Sequence, residues 1–255
     1  SVLKKYLKQQ DKSPIEKAYK KFSKYFQDPK IQENIRASKE EEYQGIFLTE
    51  LFVNILGYTM KPNVGFNLVA EKKNEKNSKK ADGAILDGDK VLGVVELKGT
   101  DTKDLEKVRQ QAFDYKLNHK GCIYVITSNF EKLRFYINDA IEFEEFDLFN
   151  INEQRFELLY LCLSKDSALN NLPLKIKEAS LQEEEMITKK FYADYSMFKR
   201  ELFRDLVKNN LKNEVFRQEL TLEDAERGTK NIKMKLFKKS QKLIDRFLFI
   251  FFDED

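Results

Sequence analysis

Residues 81–98, ADGAILDGDKVLGVVELK, constrain the fold of this chain more than any other stretch. Two apolar runs rich in β-branched residues flank Asp87, Gly88 and Asp89. An Asp-Gly pair between two such runs is a strong signal of a tight hairpin. The segment therefore predicts two antiparallel strands joined by a short turn.

The second strand of this hairpin ends in charged side chains. Because side chains alternate between the two faces of a strand, each face can be read from the sequence. One face should hold Leu92, Val94, Glu96 and Lys98, and the other Val91, Gly93, Val95 and Leu97. A carboxylate and an ammonium group then project side by side from an apolar strand. The hairpin register can bring Asp82, near the start of the first strand, beside Glu96.

Two carboxylates next to a lysine suit a divalent-metal site for phosphodiester hydrolysis. Mg²⁺ prefers oxygen ligands and often takes one or two carboxylates, with water and phosphate completing its shell. Asp82 and Glu96 would supply the carboxylates, and the backbone carbonyl of Leu97 a third oxygen. Lys98 would orient the attacking water and offset charge on the phosphorane. In a chain that is 35% charged, the alternative is a strand-entry residue and a solvated pair at a sheet edge.

Composition restricts the other classes of function. With 255 residues and 41% hydrophobic content, the chain can form one large domain or a domain with an appendage. A net charge of +3 means that nucleic-acid binding must come from a local patch. The single histidine, His119, argues against Ser-His-Asp, Cys-His and HNH-type sites.

The cellular compartment also follows from the sequence. Cys122 and Cys162 lie far apart and form no CxxC pair, so neither a disulfide nor a zinc site is expected. No apolar run reaches the length of a membrane span, and no signal peptide opens the sequence. We therefore expect a cytoplasmic protein that does not contact a membrane.

The order of the predicted elements indicates the fold class. Apolar periodicity and turn residues predict helices in 1–42 and 42–56, strands at 64–70, 81–86 and 91–98, a helix at 104–119, and strands at 122–128 and 132–138. A strand–helix–strand step implies a crossover onto a mixed sheet. The pattern predicts an α/β fold with a central mixed β-sheet flanked by helices. Gln111 and Tyr115, four residues apart, should share one face of the third helix.

From about residue 142 the sequence changes character. Long helices are predicted at 178–210 and 222–252, and the second contains the apolar run RFLFIFF. Such a face normally packs against something, either a following domain or the chain's own domain. We therefore expect one domain at 1–150 and an all-helical connector at 151–255.

These motifs resemble a known superfamily. Asp82, the Glu96-Leu97-Lys98 run and the helical Gln111 and Tyr115 resemble the PD-(D/E)XK nucleases, in particular members with a QxxxY motif. Ala81 stands where the superfamily name has proline. The wider layout is similar to the N-terminal portion of Type IIG restriction-modification enzymes, which fuse cleavage, adenine methylation and target recognition.

Two further segments carry this wider resemblance. Glu50 in TELFVNILGY matches a helical glutamate before an LGY-like ending, and LIDRFLFIFF resembles the phenylalanine-rich end of the helical connector. The resemblance implies a restriction-endonuclease-like domain over 1–150, followed by a connector over 151–255 that leads to a methyltransferase domain.

The resemblance also implies an activity, namely that of a Mg²⁺-dependent, type II site-specific endodeoxyribonuclease. Its implied site consists of Asp82 and Glu96 as metal ligands, Lys98 as the catalytic lysine, Glu50 as an accessory acid, and Gln111 and Tyr115 as residues that position the DNA phosphate. The implied partners are double-stranded DNA, a second protomer during cleavage, and covalently linked methyltransferase and target-recognition domains. S-adenosylmethionine would bind only in the downstream domain, since no N/D-P-P-Y/F motif occurs in this sequence.

Two other interpretations remain open. The chain could be a non-catalytic DNA-binding or scaffold module that retains a nuclease-like sheet, in which case Asp82 and Glu96 should not bind Mg²⁺. It could also be a repair or recombination nuclease of the same superfamily with a helical appendage.

Overall fold

The computed structural model describes residues 1–73, 80–210 and 229–252. The chain forms two compact units, Ser1–Ser180 and Leu181–Asp255. The first unit has an α/β architecture in which helices flank a six-stranded mixed sheet. This confirms the predicted fold class. None of the described helices is long and apolar enough to cross a membrane.

The elements are numbered in chain order. The helices are α1 (Val2–Gln9), α2 (Lys12–Phe26), α3 (Pro29–Ala37), α4 (Glu40–Phe47), α5 (Leu105–Leu117), α6 (Glu153–Leu163), α7 (Lys165–Leu169), α8 (Leu172–Asn210) and α9 (Thr229–Phe252). A π-helical segment, Leu48–Ile55, continues α4. The strands are β1 (Leu68–Lys73), β2 (Lys80–Asp87), β3 (Lys90–Leu97), β4 (Tyr124–Ser128), β5 (Lys132–Ile137) and β6 (Phe143–Asp147).

The six strands lie in the sheet in the order in which they occur in the chain. Neighbours pair antiparallel except β3 and β4, which are parallel and are connected through α5. This is the predicted strand–helix–strand step. Strand β6 was not predicted, and β1 begins four residues later than the predicted strand at 64–70.

The predicted hairpin is β2–β3, and Gly88 in its turn has a φ of 58°, a conformation that favours glycine. The strict alternation predicted for β3 is wrong at one point. Ile85 pairs with Gly93 but Leu86 pairs with Val91, so Leu92 is an extra residue in a β-bulge. Leu92 therefore packs in the same core as Val95 and Leu97, while Val91 joins Val94 on the other face.

Two apolar cores lie on opposite faces of the sheet. The larger one packs α2, the π-helical segment and α6 against the sheet, and its fully buried rings include Phe22, Phe47, Phe130 and Phe156. The apolar face predicted for residues 42–56 lies in this core. The smaller one lies between the sheet and α5 and contains Val94, Val125, Ala112 and Tyr115.

The first unit extends beyond the predicted domain end at residue 150. Phe156 of α6 packs against Tyr19 and Phe22 of α2, with ring centroids 5.2 and 5.0 Å apart. The hydroxyl of Tyr58 donates to the carbonyl of Leu163 over 2.9 Å. The compact unit therefore runs to Ser180. The functional division into an endonuclease domain and a connector stays a prediction.

The second unit contains the rest of α8 together with α9. Tyr195 contacts Asp245, Lys199 contacts Gln241, and Phe203 contacts Phe237, so the two helices run antiparallel. Residues 222–228, which the sequence assigns to the start of the last helix, lie outside the described residues, as do residues 74–79.

Candidate active site

The two carboxylates of the hairpin come from neighbouring positions on paired strands. Gly83 of β2 lies opposite Val95 of β3, so the next step of the antiparallel register places Asp82 opposite Glu96. One carboxylate oxygen of Asp82, Oδ2, accepts a hydrogen bond from the backbone N–H of Leu97 over 2.7 Å. This bond fixes the orientation of Asp82 at the end of β3.

Lys98 lies directly beside this pair. Its Nζ donates to Oε1 of Glu96 over 3.0 Å and to the carbonyl oxygen of Leu97 over 2.9 Å. The ammonium group thus connects Glu96 with the carbonyl that the sequence suggested as a third oxygen ligand. The structure brings Asp82, Glu96, Leu97 and Lys98 together.

Helix α5 brings two more of the predicted residues to the same place. The amide Nε2 of Gln111 donates to Oε1 of Glu96 over 2.5 Å and to the hydroxyl of Tyr115 over 3.1 Å. The four-residue spacing places the two side chains one turn apart on α5, and Tyr115 lies on the face that packs on the sheet. Tyr115 is buried, and burial raises the pKa of its hydroxyl. It therefore acts here as a neutral hydrogen-bonding group.

Glu40 is the residue that sequence reasoning missed. It opens α4, and its Oε1 lies 3.4 Å from Nζ of Lys98 while its Oε2 accepts from the backbone N–H of Gly99 over 3.3 Å. Its only sequence signal is the acidic first turn formed with Glu41 and Glu42, a common feature at helix N-termini. That signal does not reveal a contact with a residue 58 positions away.

Glu50, the accessory acid implied by the resemblance, lies on the π-helical segment. Its Oε2 accepts a hydrogen bond from Nδ2 of Asn54 over 3.1 Å. Among the hydrogen bonds of the described residues, none joins Glu50 to the cluster around Lys98. Glu40 is a further carboxylate next to Lys98, and the role of Glu50 as an accessory acid stays a prediction.

Burial and charge change the acidity of these groups. Glu96 is 1% exposed, and burial, followed by the charge of Asp82, raises its pKa from 4.5 to about 7 despite the nearby Lys98. Burial is also the main reason that the pKa of Asp82 is raised. Burial lowers the pKa of Lys98, but Glu96, Asp82 and Glu40 outweigh it and raise the pKa above its ordinary value. Lys98 is therefore charged at neutral pH, where Glu96 is partly protonated.

One oxygen of this cluster has unused bonding capacity. Oε2 of Glu96 is buried and has no hydrogen-bond partner in the described structure. Buried carboxylate oxygens are normally paired, so this atom could accept a cation. The Asp82 carboxylate and the backbone carbonyl of Leu97 supply further oxygen atoms at the same end of the hairpin. Oxygen is the ligand type that Mg²⁺ prefers.

The described residues do not supply a complete set of metal ligands by themselves. In residues 1–73, 80–210 and 229–252, no group of three or more His, Cys, Asp or Glu side chains is arranged to hold a metal ion. Mg²⁺ at Asp82 and Glu96 would need water and phosphate for its remaining positions, which is its usual mode of binding in phosphoryl-transfer sites.

Comparison with known proteins identifies no relative. No protein-family model, no curated protein and no solved structure matches this chain.

Proposed function

We propose that this chain is a Mg²⁺-dependent endodeoxyribonuclease that hydrolyses phosphodiester bonds of double-stranded DNA. Its sheet and helices would form a restriction-endonuclease-like domain of a fused Type IIG restriction-modification enzyme. The observation that carries the proposal is the buried, unpartnered Oε2 of Glu96, opposite Asp82 and beside the ammonium of Lys98.

The charge balance of the cluster supports cation binding. When ionised, Asp82, Glu96 and Glu40 contribute three negative charges against one positive charge from Lys98. Negative charge near a buried carboxylate is unfavourable, so Asp82 and Glu40 add to the effect of burial, which is the main cause of the raised pKa of Glu96. A divalent cation would compensate the charge and return Glu96 to its ionised form. A structural ion pair would need only one carboxylate for one lysine.

Each residue of the cluster has its own role in the proposed reaction. A bound Mg²⁺ would polarise the phosphate and make a water molecule more acidic. Asp82 and Glu96 would hold it, and Gln111 would keep the Glu96 carboxylate in place through its short hydrogen bond. Lys98 retains its proton, so its ammonium can stabilise negative charge developing on the phosphate oxygens.

The experiment measures Mg²⁺ binding first and cleavage second. Calorimetric titration should detect Mg²⁺ binding to the unchanged chain and a loss of at least about tenfold in affinity in Glu96→Gln, because one of two protein carboxylates is removed. Asp87→Asn is the matched control, since Asp87 is an exposed acid at the other end of β2. Cleavage of duplex DNA with Mg²⁺ is then compared among the unchanged chain, Asp82→Ala and Lys98→Ala. Equal cleavage in all three would refute the assignment.

A second candidate function is a DNA-binding or scaffold module without chemistry. The observation that favours it is the incomplete set of protein metal ligands among the described residues. It predicts that Mg²⁺ titration gives the same null result for the unchanged chain and Glu96→Gln. Cleavage by a dimer, attached methyltransferase and target-recognition domains, and a cytoplasmic location stay predictions.

A further inference from the structure

Helix α9 carries a strongly one-sided charge. Between residues 233 and 250 it contains Lys233, Lys235, Lys238, Lys239, Lys242 and Arg246, against a single acid, Asp245. The described part of its partner, α8, has mixed charges over residues 181–210. The excess of positive charge in the second unit is therefore concentrated on α9.

The contacts between α8 and α9 show which face of α9 is covered. Phe237, Gln241 and Asp245, each four residues apart, contact Phe203, Lys199 and Tyr195 of α8. Leu236, Ser240 and Ile244 are buried. These two rows lie side by side on the helix and define its inner surface.

The basic residues lie on the outer surface. Each residue advances about 100° around a helix, so the row Lys238, Lys242 and Arg246 lies next to the covered row and turns away from α8. All three side chains are exposed. This row extends for about 12 Å along the axis between residues 238 and 246. We call these three residues the basic stripe.

The basic stripe is internally repulsive. Its members are spaced by four residues, and like charges at this spacing destabilise a helix. Asp245, the acid within this segment, accepts instead from the hydroxyl of Tyr195 on α8. A solvated helix surface usually mixes both signs of charge, so this arrangement gains stability when a polyanion neutralises it.

The geometry points to the basic stripe of α9 as a binding surface for the phosphate backbone of duplex DNA, separate from the cluster at Asp82 and Glu96. A regular row of phosphates provides negative charge along the full length of the stripe, which a single acidic side chain cannot do. Binding of this kind is independent of base sequence and releases counterions. The choice of duplex DNA as the polyanion rests on the proposed function. Binding itself requires neither Mg²⁺ nor cleavage.

The test compares two triple variants of the full chain with the same change in net charge. Lys238→Gln, Lys242→Gln and Arg246→Gln neutralise the stripe, and glutamine has a helix propensity close to that of lysine and arginine. Lys189→Gln, Lys190→Gln and Arg200→Gln are the control, since they remove three exposed cations from α8. Circular dichroism confirms that both variants retain the helical content of the unchanged chain.

Binding to a duplex of unrelated sequence is measured in EDTA at several salt concentrations, so that a failure of the nuclease proposal does not affect the result. The stripe variant should bind at least about tenfold more weakly, and the slope of log affinity against log salt should fall by about 2 to 3. The control variant should stay within about twofold of the unchanged chain. Equal losses in both variants, or no binding by the unchanged chain, would overturn the proposal. Stripe-dependent binding to phosphatidylserine vesicles that exceeds binding to DNA would assign the surface to membranes and also overturn it.

Discussion

The ammonium group of Lys98 donates to one oxygen of Glu96 over 3.0 Å, while the other oxygen of the same carboxylate is buried without a partner. The two residues are separated by a single position at the end of β3. Because only one of the two Glu96 oxygens is paired, we expect the stability of the protein to depend on pH and on divalent cations.

We expect the protein to lose stability as the pH rises from about 4.5 to about 7. The pKa of Glu96 is raised from 4.5 to about 7 in the folded chain, so the folded state holds a proton that the unfolded state has released. Full ionisation should lower the free energy of unfolding by about 3 kcal/mol. Urea unfolding at about pH 5 and about pH 8 measures the effect. In Glu96→Gln this component should disappear, and an unchanged pH dependence in that variant would contradict the prediction.

Excess MgCl₂ should raise the stability of the protein most at the higher pH. A cation favours the ionised form of Glu96 and binds only the folded arrangement of Asp82 and Glu96. At a concentration of about 100 times the Kd, this adds about 2.7 kcal/mol to the free energy of unfolding. Thermal melting with MgCl₂ and with EDTA measures the difference. Asp82→Ala should remove the response, whereas the control Asp87→Asn should keep it.

Glu40 should matter more for cleavage than Glu50. Glu40 lies 3.4 Å from Nζ of Lys98, whereas Glu50 accepts a hydrogen bond from Asn54. Glu40→Gln should reduce cleavage about 10- to 100-fold, as is usual for residues that orient a metal site. Glu50→Gln is the matched control and should stay close to the unchanged chain. A larger loss in Glu50→Gln would support the assignment that the resemblance implied.

Two glycine-to-alanine substitutions should change stability in opposite directions. A Cβ at Gly83 would lie 3.2 Å from Cδ2 of Leu48 and 3.3 Å from Cβ of Val95, so Gly83→Ala should cost about 1 kcal/mol or more. Gly45 lies in α4 with no atom within 4 Å of an added Cβ. Gly45→Ala should therefore stabilise by about 0.5 to 1 kcal/mol, since alanine is the better helix former. Urea unfolding checks both, and a stabilising Gly83→Ala would contradict the packing described here.

The central part of the fold could be predicted because its signals are local. The Asp87-Gly88 turn, the apolar runs on each side of it and the helical periodicity of residues 105–117 each act within a few residues. Strand β6 was missed because its sequence, FEEFD, has two adjacent glutamates and lies at the edge of the sheet. At this edge the strand is stabilised by pairing with β5, including the cross-strand ion pair of Arg134 with Glu145, and not by burial of both its faces.

The sequence predicts those parts of the site that lie within one hairpin or one helix. Asp82, Glu96 and Lys98 share one hairpin, and the spacing of Gln111 and Tyr115 is helical, so these groups follow from local geometry. The bulge at Leu92 and the contact of Glu40 with Lys98 depend on tertiary packing.

The chain-order arrangement of the sheet has a consequence for how the protein acquires its site. Since β2 and β3 pair through a short turn, the two acids and the lysine meet as soon as this hairpin closes, on a scale of microseconds. Gln111 and Glu40 arrive only when α5 docks and when the amino-terminal helices close a much longer loop. Assembly of the cluster should therefore be stepwise, with its charges brought together before the groups that restrain them.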